Sequence, residues 1–264
     1  MRKKNVLIIV LTALVFLSVA VLGFTTVYRV NAVAVRAPVV SEAARSEAEE
    51  LQKKLTAAYE NQSIFSVNDE LAKEIVAEFP YFNVTGFEKK YPNRLVVEVT
   101  EDAEVYAVEA ESGQYYILSI DGTVLGIREN YKNRSDDAAN LLITGLSATG
   151  EKGEDLSGDS CLQTLFPFLK KVSDLFGGIR RNVLSVKILR PASVEEETVF
   201  KLTMREGVNI YVRNPSTLTE QKAEMAIEQY TGLSAKQKLK GMLIVSDVLG
   251  EVIYDYHQTD SMGA

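Results

Sequence analysis

The run Val6–Phe24, VLIIVLTALVFLSVAVLGF, constrains this chain more than any other stretch. It carries no charge, and its polar side chains are Thr12 and Ser18. An α-helix needs about 20 mostly apolar residues to cross a hydrocarbon core of ~30 Å, so the run is sized for one crossing. Arg2, Lys3 and Lys4 precede it with no acid among them, and a net acidic chain follows. Positive flanks stay in the cytoplasm. This predicts a cytoplasmic tail at 1–5 and a transmembrane helix at 6–24. The protein would be a single-pass type II protein of the plasma (inner) membrane, with its C-terminal domains outside. A secretory signal peptide has the same charge order, but its apolar core is shorter and a small-residue cleavage site follows closely. Here the core is longer, and the tidy A-x-A at Ala32–Ala34 lies well downstream. An uncleaved anchor is therefore the expectation.

The 264 residues leave room for one to two domains beyond the anchor. With 46% apolar and 25% charged residues, the outer part has the composition of ordinary globular protein. The net charge of −7 argues against a nucleic-acid partner, which would call for a basic patch. One Cys, Cys161, permits no internal disulfide. Together with the single His, His257, it is too little for the usual zinc sites. A triad built on histidine would have to use His257, close to a chain end of the kind that is usually poorly ordered. No catalytic residue, metal or cofactor is expected, although chemistry run by carboxylates alone needs no histidine and stays open.

Past the anchor, Val27–Val35 alternates loosely and reads as a short strand closed by Pro38. From Ser41, the residues Ala44, Ala48, Leu51, Leu55 and Ala58 recur at the spacing of one helix face. Ser66 with Asp69 has the form of a capping box. It would open a short helix buried through Leu71, Ile75, Val76 and Phe79 and stopped by Pro80. Asn83–Tyr91 and Leu95–Thr100 read as strands joined by a turn at Tyr91-Pro92-Asn93-Arg94. The order is β-α-α-β-β.

Several of these residues fall in a known order. Ser63-Ile-Phe65-Ser-Val67 comes first, then Phe79-Pro80-Tyr81-Phe82, then Phe87-Glu-Lys89-Lys90-Tyr91-Pro92-Asn-Arg94-Leu95-Val-Val97-Glu-Val99-Thr-Glu101. This series resembles the POTRA domain of the FtsQ/DivIB family of bacterial cell-division proteins. The resemblance is strong over about residues 27–127. It implies an α+β fold: a single transmembrane helix, a POTRA domain at 27–102, and a larger mixed α/β-sheet domain at 103–256. It also implies a non-enzymatic divisome scaffold at the division septum. Such a scaffold would bind FtsB/DivIC-type and FtsL-type membrane proteins and support septal peptidoglycan synthesis. In that family, basic residues flank the aromatic-Pro turn, so Lys89, Lys90 and Arg94 are expected to face partners. As isolated residues they read equally as a solvated edge. Two other classes stay in view: an anchored enzyme acting on cell wall, and a POTRA-type secretion or assembly module. The first wants paired acids or a nucleophile with its base. The second wants tandem repeats or a barrel.

Beyond Glu101 the chain turns to strands: Val105–Val108, then Gln114–Ile120 and Thr123–Ile127 around the hairpin signal Asp121-Gly122, then Asn140–Thr144. Thr149–Ser160 holds Glu151, Glu154, Asp155 and Asp159 without the spacing of a calcium loop, so a solvated surface loop is expected. Leu162–Phe176 has helical spacing, with Pro167 either kinking it or marking its first turn. Val183–Leu189, Thr198–Met204 and Val208–Arg213 read as strands. Thr217 with Glu220 reads as a second capping box, opening a helix buried through Ala223, Ala226, Ile227 and Tyr230. Met242–Val248 and Glu251–Tyr256 close the fold around Gly250, and 257–264 reads as a frayed tail. In the last strand Val252, Tyr254 and Tyr256 share one face, and Glu251, Ile253 and Asp255 the other. By the resemblance this segment receives the FtsB-type partner as an added strand. By pattern alone, an interior strand whose tyrosines merely pack fits as well.

Overall fold

The computed structural model describes residues 2–39, 41–110, 112–131, 140–190 and 197–262. For residues 2–10, 20–22 and 24 it describes the backbone only. The chain divides into two compact units, Met1–Asp102 and Ala103–Ala264.

Helix α1 covers Arg2–Val27. Its 26 residues span about 39 Å at 1.5 Å per residue. Among the described residues no helix is long and apolar enough to cross a membrane. The expected crossing at 6–24 includes side chains that lie outside that set. The rest of the first unit runs β1 (Ala32–Arg36), α2 (Glu42–Tyr59), α3 (Glu70–Ala77), β2 (Phe82–Lys90) and β3 (Arg94–Glu101). The strands lie in the order β1-β3-β2. β1 is parallel to β3 with Val33 opposite Leu95, and β2 is antiparallel to β3 with Lys90 opposite Arg94. The strand expected from Val27 begins only at Ala32. α1 continues through Val27, and Arg29 forms no more than an isolated bridge to Ser63.

α2 starts where the sequence places it: the Ser41 Oγ accepts from the Ala44 N–H at 3.1 Å, and the helix buries Ala44, Leu51, Leu55 and Tyr59. It also clamps β1 by a side chain that periodicity hides. The Gln52 Oε1 accepts from the Val35 N–H at 2.8 Å, and its Nε2 donates to the Val33 carbonyl at 2.8 Å. An edge strand thereby finds partners for backbone groups its sheet leaves over. The capping box expected at Ser66 and Asp69 does not form. The Ser66 Oγ donates to the Ser63 carbonyl, Asp69 pairs with Lys73 one turn into α3 at 2.6 Å, and α3 begins only at Glu70, without a side-chain cap.

The second unit contains β4 (Tyr106–Glu109), β5 (Tyr115–Leu118), β6 (Val124–Arg128), β7 (Leu141–Thr144), α4 (Leu162–Phe176), β8 (Val183–Leu189), β9 (Val199–Met204), β10 (Asn209–Arg213), α5 (Thr219–Gly232), α6 (Ala235–Lys238), β11 (Met242–Val248) and β12 (Glu251–His257). Among the described residues these strands form one nine-stranded sheet, ordered β12-β11-β10-β9-β8-β7-β4-β5-β6. The β7–β8 and β10–β11 pairs are parallel, and α4 and α5 make their crossovers. β8 and β10 run the same way because each is antiparallel to β9. Both crossovers also advance in the same direction across the sheet. Right-handed connections then put both helices on one face. There Phe176 of α4 meets Tyr230 of α5 edge to face at 5.7 Å, and Phe168 meets Phe200 of β9 at 5.7 Å. Pro167 stands inside α4 rather than in its first turn. Gly122, at the β5–β6 hairpin, has φ +96°, and a Cβ there would lie 2.5 Å from the Phe166 ring, so glycine alone fits.

Two expectations are corrected here. The acidic loop at 149–160 is not simply solvated. The Asp159 carboxylate is buried and accepts from the Ser147 N–H at 3.1 Å, from the Cys161 N–H at 2.9 Å and from Arg190. The tail is not frayed from His257 either. β12 includes that residue, and Asp260 accepts from the Tyr211 hydroxyl at 2.9 Å and from the Asn209 amide at 2.6 Å. Residues 263–264 lie outside the described set.

Candidate functional site

The structure puts β12 at one end of the sheet, paired with β11. Val248 faces Glu251, so the connecting turn consists of Leu249 and Gly250. Both have positive φ, 54° and 86°, as a type I′ turn requires. The bond that closes such a turn runs from the N–H of its fourth residue, here Glu251, to the carbonyl of its first. Backbone bonding then alternates along an antiparallel pair. Glu251, Ile253 and Asp255 therefore turn their backbone groups toward β11, and Val252, Tyr254 and Tyr256 turn theirs toward the open edge.

The side chains of this strand divide differently. Val252 and Tyr256 are partly buried against the core, and the Tyr256 hydroxyl donates to the carbonyls of Gln237 and Lys240 at 3.2 and 3.1 Å. Tyr254 shares their face, opposite Val245, yet remains 50% exposed. Glu251, Ile253 and Asp255 are exposed. The hairpin tip adds two residues that the sequence reading passed over, Val248 at 53% and Leu249 at 101% exposure. The clue was present: Leu-Gly stands where Asn-Gly is the comfortable choice. A leucine held in left-handed backbone and fully in water is doubly disfavoured.

The hairpin is fastened to the body of the unit by a buried lysine. Lys222 of α5 is fully buried. Its ammonium donates to the carbonyls of Arg213 and Asn214 at 2.9 and 2.6 Å, to the Thr217 hydroxyl at 2.9 Å, and pairs with Asp247 of β11. The bonds from Lys222 and Thr217 hold the Asp247 carboxyl below the usual carboxylate range. This cluster also explains why the second expected capping box fails. The Thr217 oxygen serves Lys222, its hydroxyl also contacts Asp247 and the Asn214 carbonyl, and α5 starts from Leu218 without a side-chain cap.

In the first unit, Lys89, Lys90 and Arg94 flank the tip of the β2–β3 hairpin. Lys90 pairs with Glu88 at 3.3 Å, and the Lys89 ammonium reaches the Phe65 carbonyl at 3.5 Å. Arg94 is exposed. Phe65 and Tyr91 beside them are exposed as well, at 52% and 59%. These basic residues and the C-terminal edge belong to different units. Among the described residues, no group of three or more His, Cys, Asp or Glu is arranged to hold a metal ion.

Residues 34–102 match the family model of the POTRA domain, FtsQ-type. The match covers 69 of the 264 residues, all of them in the first unit, and identifies an FtsQ-type POTRA domain there. An FtsQ-type POTRA domain indicates a cell-division role carried out through protein–protein interactions, and proteins with this domain are generally non-enzymatic. No curated protein matches the chain.

Proposed function

From the FtsQ-type POTRA domain that this chain carries, we infer a non-enzymatic divisome scaffold that binds FtsB/DivIC-type and FtsL-type membrane proteins and supports septal peptidoglycan synthesis. The match over residues 34–102 is the observation that carries the reading. The proposed organisation is a cytoplasmic tail at 1–5, an anchor at 6–24, the POTRA domain at 27–102 and a second outer domain at 103–256. The C-terminal edge at Glu251–Tyr256 is the proposed seat of the FtsB/DivIC-type partner. An exposed strand is a template for another chain, and strand addition is a common mode of peptide recognition. Lys89, Lys90 and Arg94 are the proposed second contact. Capture with the outer region of a protein having a short apolar anchor and an extended outer segment supports the reading; recovery of wall-degrading activity instead sinks it.

The anchor is favoured by the surface of α1. Leu11, Leu14, Val15, Phe16, Leu17 and Val19 are all exposed and lie on every side of the helix. A helix that is apolar all round belongs in a protein core or a bilayer, not in water. Protease added outside intact protoplasts is expected to digest the chain beyond Phe24. A protected C-terminal region would reverse the orientation, and a mature protein starting near Val35 would reveal a signal peptide.

For the POTRA contact, the expected result concerns Lys89→Glu combined with Lys90→Glu. Surface charge changes usually cost under about 0.5 kcal/mol of stability. The double variant should therefore fold normally and localise poorly to the septum. Normal septal localisation of the folded variant would remove these residues from the contact surface.

A further inference from the structure

We propose that the first unit rests on the outer leaflet of the same bilayer that holds α1, through an aromatic patch of Tyr28, Phe65 and Tyr91. This goes beyond the proposed scaffold function and rests on its anchor. The three rings form a chain: Tyr28 to Phe65 is 5.1 Å between centroids, and Phe65 to Tyr91 is 5.7 Å. Phe65 and Tyr91 are more than half exposed, as is Val27 at the end of α1. In water such a contiguous apolar patch is unfavourable, and its presence on a surface marks an interaction site.

Backbone pairing fixes the patch beside the helix end. The Ile64 N–H donates to the Tyr28 carbonyl at 2.9 Å, and the Val30 N–H to the Gln62 carbonyl at 2.8 Å. The Asn31 N–H donates to the Asn93 carbonyl at 3.0 Å, and Ala32 lies opposite Arg94. The loop carrying Phe65 and the hairpin tip carrying Tyr91 are therefore both stitched to the few residues that leave α1. Val27 stands about 4.5 Å beyond Phe24 along the helix axis at 1.5 Å per residue. The headgroup layer on each side of the hydrocarbon is roughly 5–8 Å thick. If Phe24 ends the apolar span, the patch falls within that layer. Aromatic side chains concentrate there, with rings in the apolar margin and polar tips in the wet one. Arg29, next in the chain to Tyr28, is exposed, so a cation stands beside the rings where lipid phosphates would lie.

The chain has no tryptophan, so one introduced indole reports alone. The full chain with Tyr91→Trp is reconstituted in vesicles of phosphatidylcholine and phosphatidylglycerol, with lipids brominated at shallow acyl positions. Its emission is expected to shift to the blue and to be quenched, and Phe65→Trp should behave alike. Asn83→Trp, exposed at the far end of β2 and roughly 25 Å away at ~3.3 Å per residue, should be neither shifted nor quenched. Phe16→Trp, in α1, reports on the anchor through lipids brominated near the bilayer centre. If Phe16→Trp is quenched while Tyr91→Trp and Phe65→Trp are not, the anchor stands and the aromatic patch faces something other than lipid, which overturns the proposal. Quenching of Asn83→Trp as strong as that of Tyr91→Trp overturns it too, because contact is then not confined to the patch. If Phe16→Trp is unquenched, the anchor itself fails and the proposal falls with it.

Discussion

Replacing Lys222 by methionine is expected to lower the stability of the second unit by roughly 3 kcal/mol, the cost of leaving several acceptors around a fully buried ammonium without their donor. The shapes are similar, so the loss is one of bonding rather than of volume. Methionine cannot donate, and it leaves the Arg213 and Asn214 carbonyls, the Thr217 oxygen and the Asp247 carboxylate without the ammonium that serves them. For a domain of this size, that corresponds to a fall in melting temperature of roughly 6–12 °C. Replacing Asp247 by leucine in the same chain should recover part of the loss, because it removes the half-buried carboxylate left without its ammonium. The pH dependence has a definite sign. The Asp247 carboxyl is held below its ordinary value, so its contribution is present at neutral pH and is lost as pH falls through that depressed value. Thermal melts of wild type, the single variant and the double variant test the account. An unchanged melting temperature for Lys222→Met would show that the cluster stabilises nothing.

The same cluster shows where the sequence was legible and where it was not. Amphipathic spacing is a short-range property, and it placed α2, α4 and α5 within a residue or two. Side-chain bonding is decided by whatever lies nearby in three dimensions. Ser66 and Thr217 both had the form of helix caps, yet their hydroxyls went to a turn carbonyl and to the Lys222 cluster. The box that does form, Ser234 with Gln237, opens a helix of only four residues. Lys222 lies one turn before Ala226 and two before Tyr230, on the face that is buried. Its position was readable, but as a lysine it suggested solvent. Asp260 escaped for a similar reason, since nothing near it in sequence announces the Tyr211 hydroxyl on β10. Strand order was the least legible. Alternation tells which residues share a face and says nothing about which strand lies next door, so the edge position of β12 came only from the register with β11.

That register makes the partner-binding proposal sharp enough to fail. Tyr254 turns its backbone N–H to the open edge, whereas Ile253 turns its own toward β11. Proline is tolerated on an edge strand where the lost N–H faces outward, and it removes a ladder bond where the N–H faces in. Tyr254→Pro is therefore expected to fold and to lose the FtsB/DivIC-type partner. Ile253→Pro is expected to destabilise the hairpin, which shows as a lower melting temperature before any partner is added. Tyr254→Ala separates ring from backbone. It keeps the outward N–H, and if the half-exposed ring is an anchor, affinity falls by about 2 kcal/mol or more. Tyr256→Phe is the internal control, because its hydroxyl already serves the Gln237 and Lys240 carbonyls and has little to offer a partner. Its cost should appear in stability and not in binding. Titration calorimetry of each folded variant with the outer segment of the partner distinguishes these outcomes. If Tyr254→Pro and Tyr254→Ala both fold and bind with unchanged affinity, the partner sits elsewhere, and the exposed Val248 and Leu249 at the hairpin tip belong to some other contact.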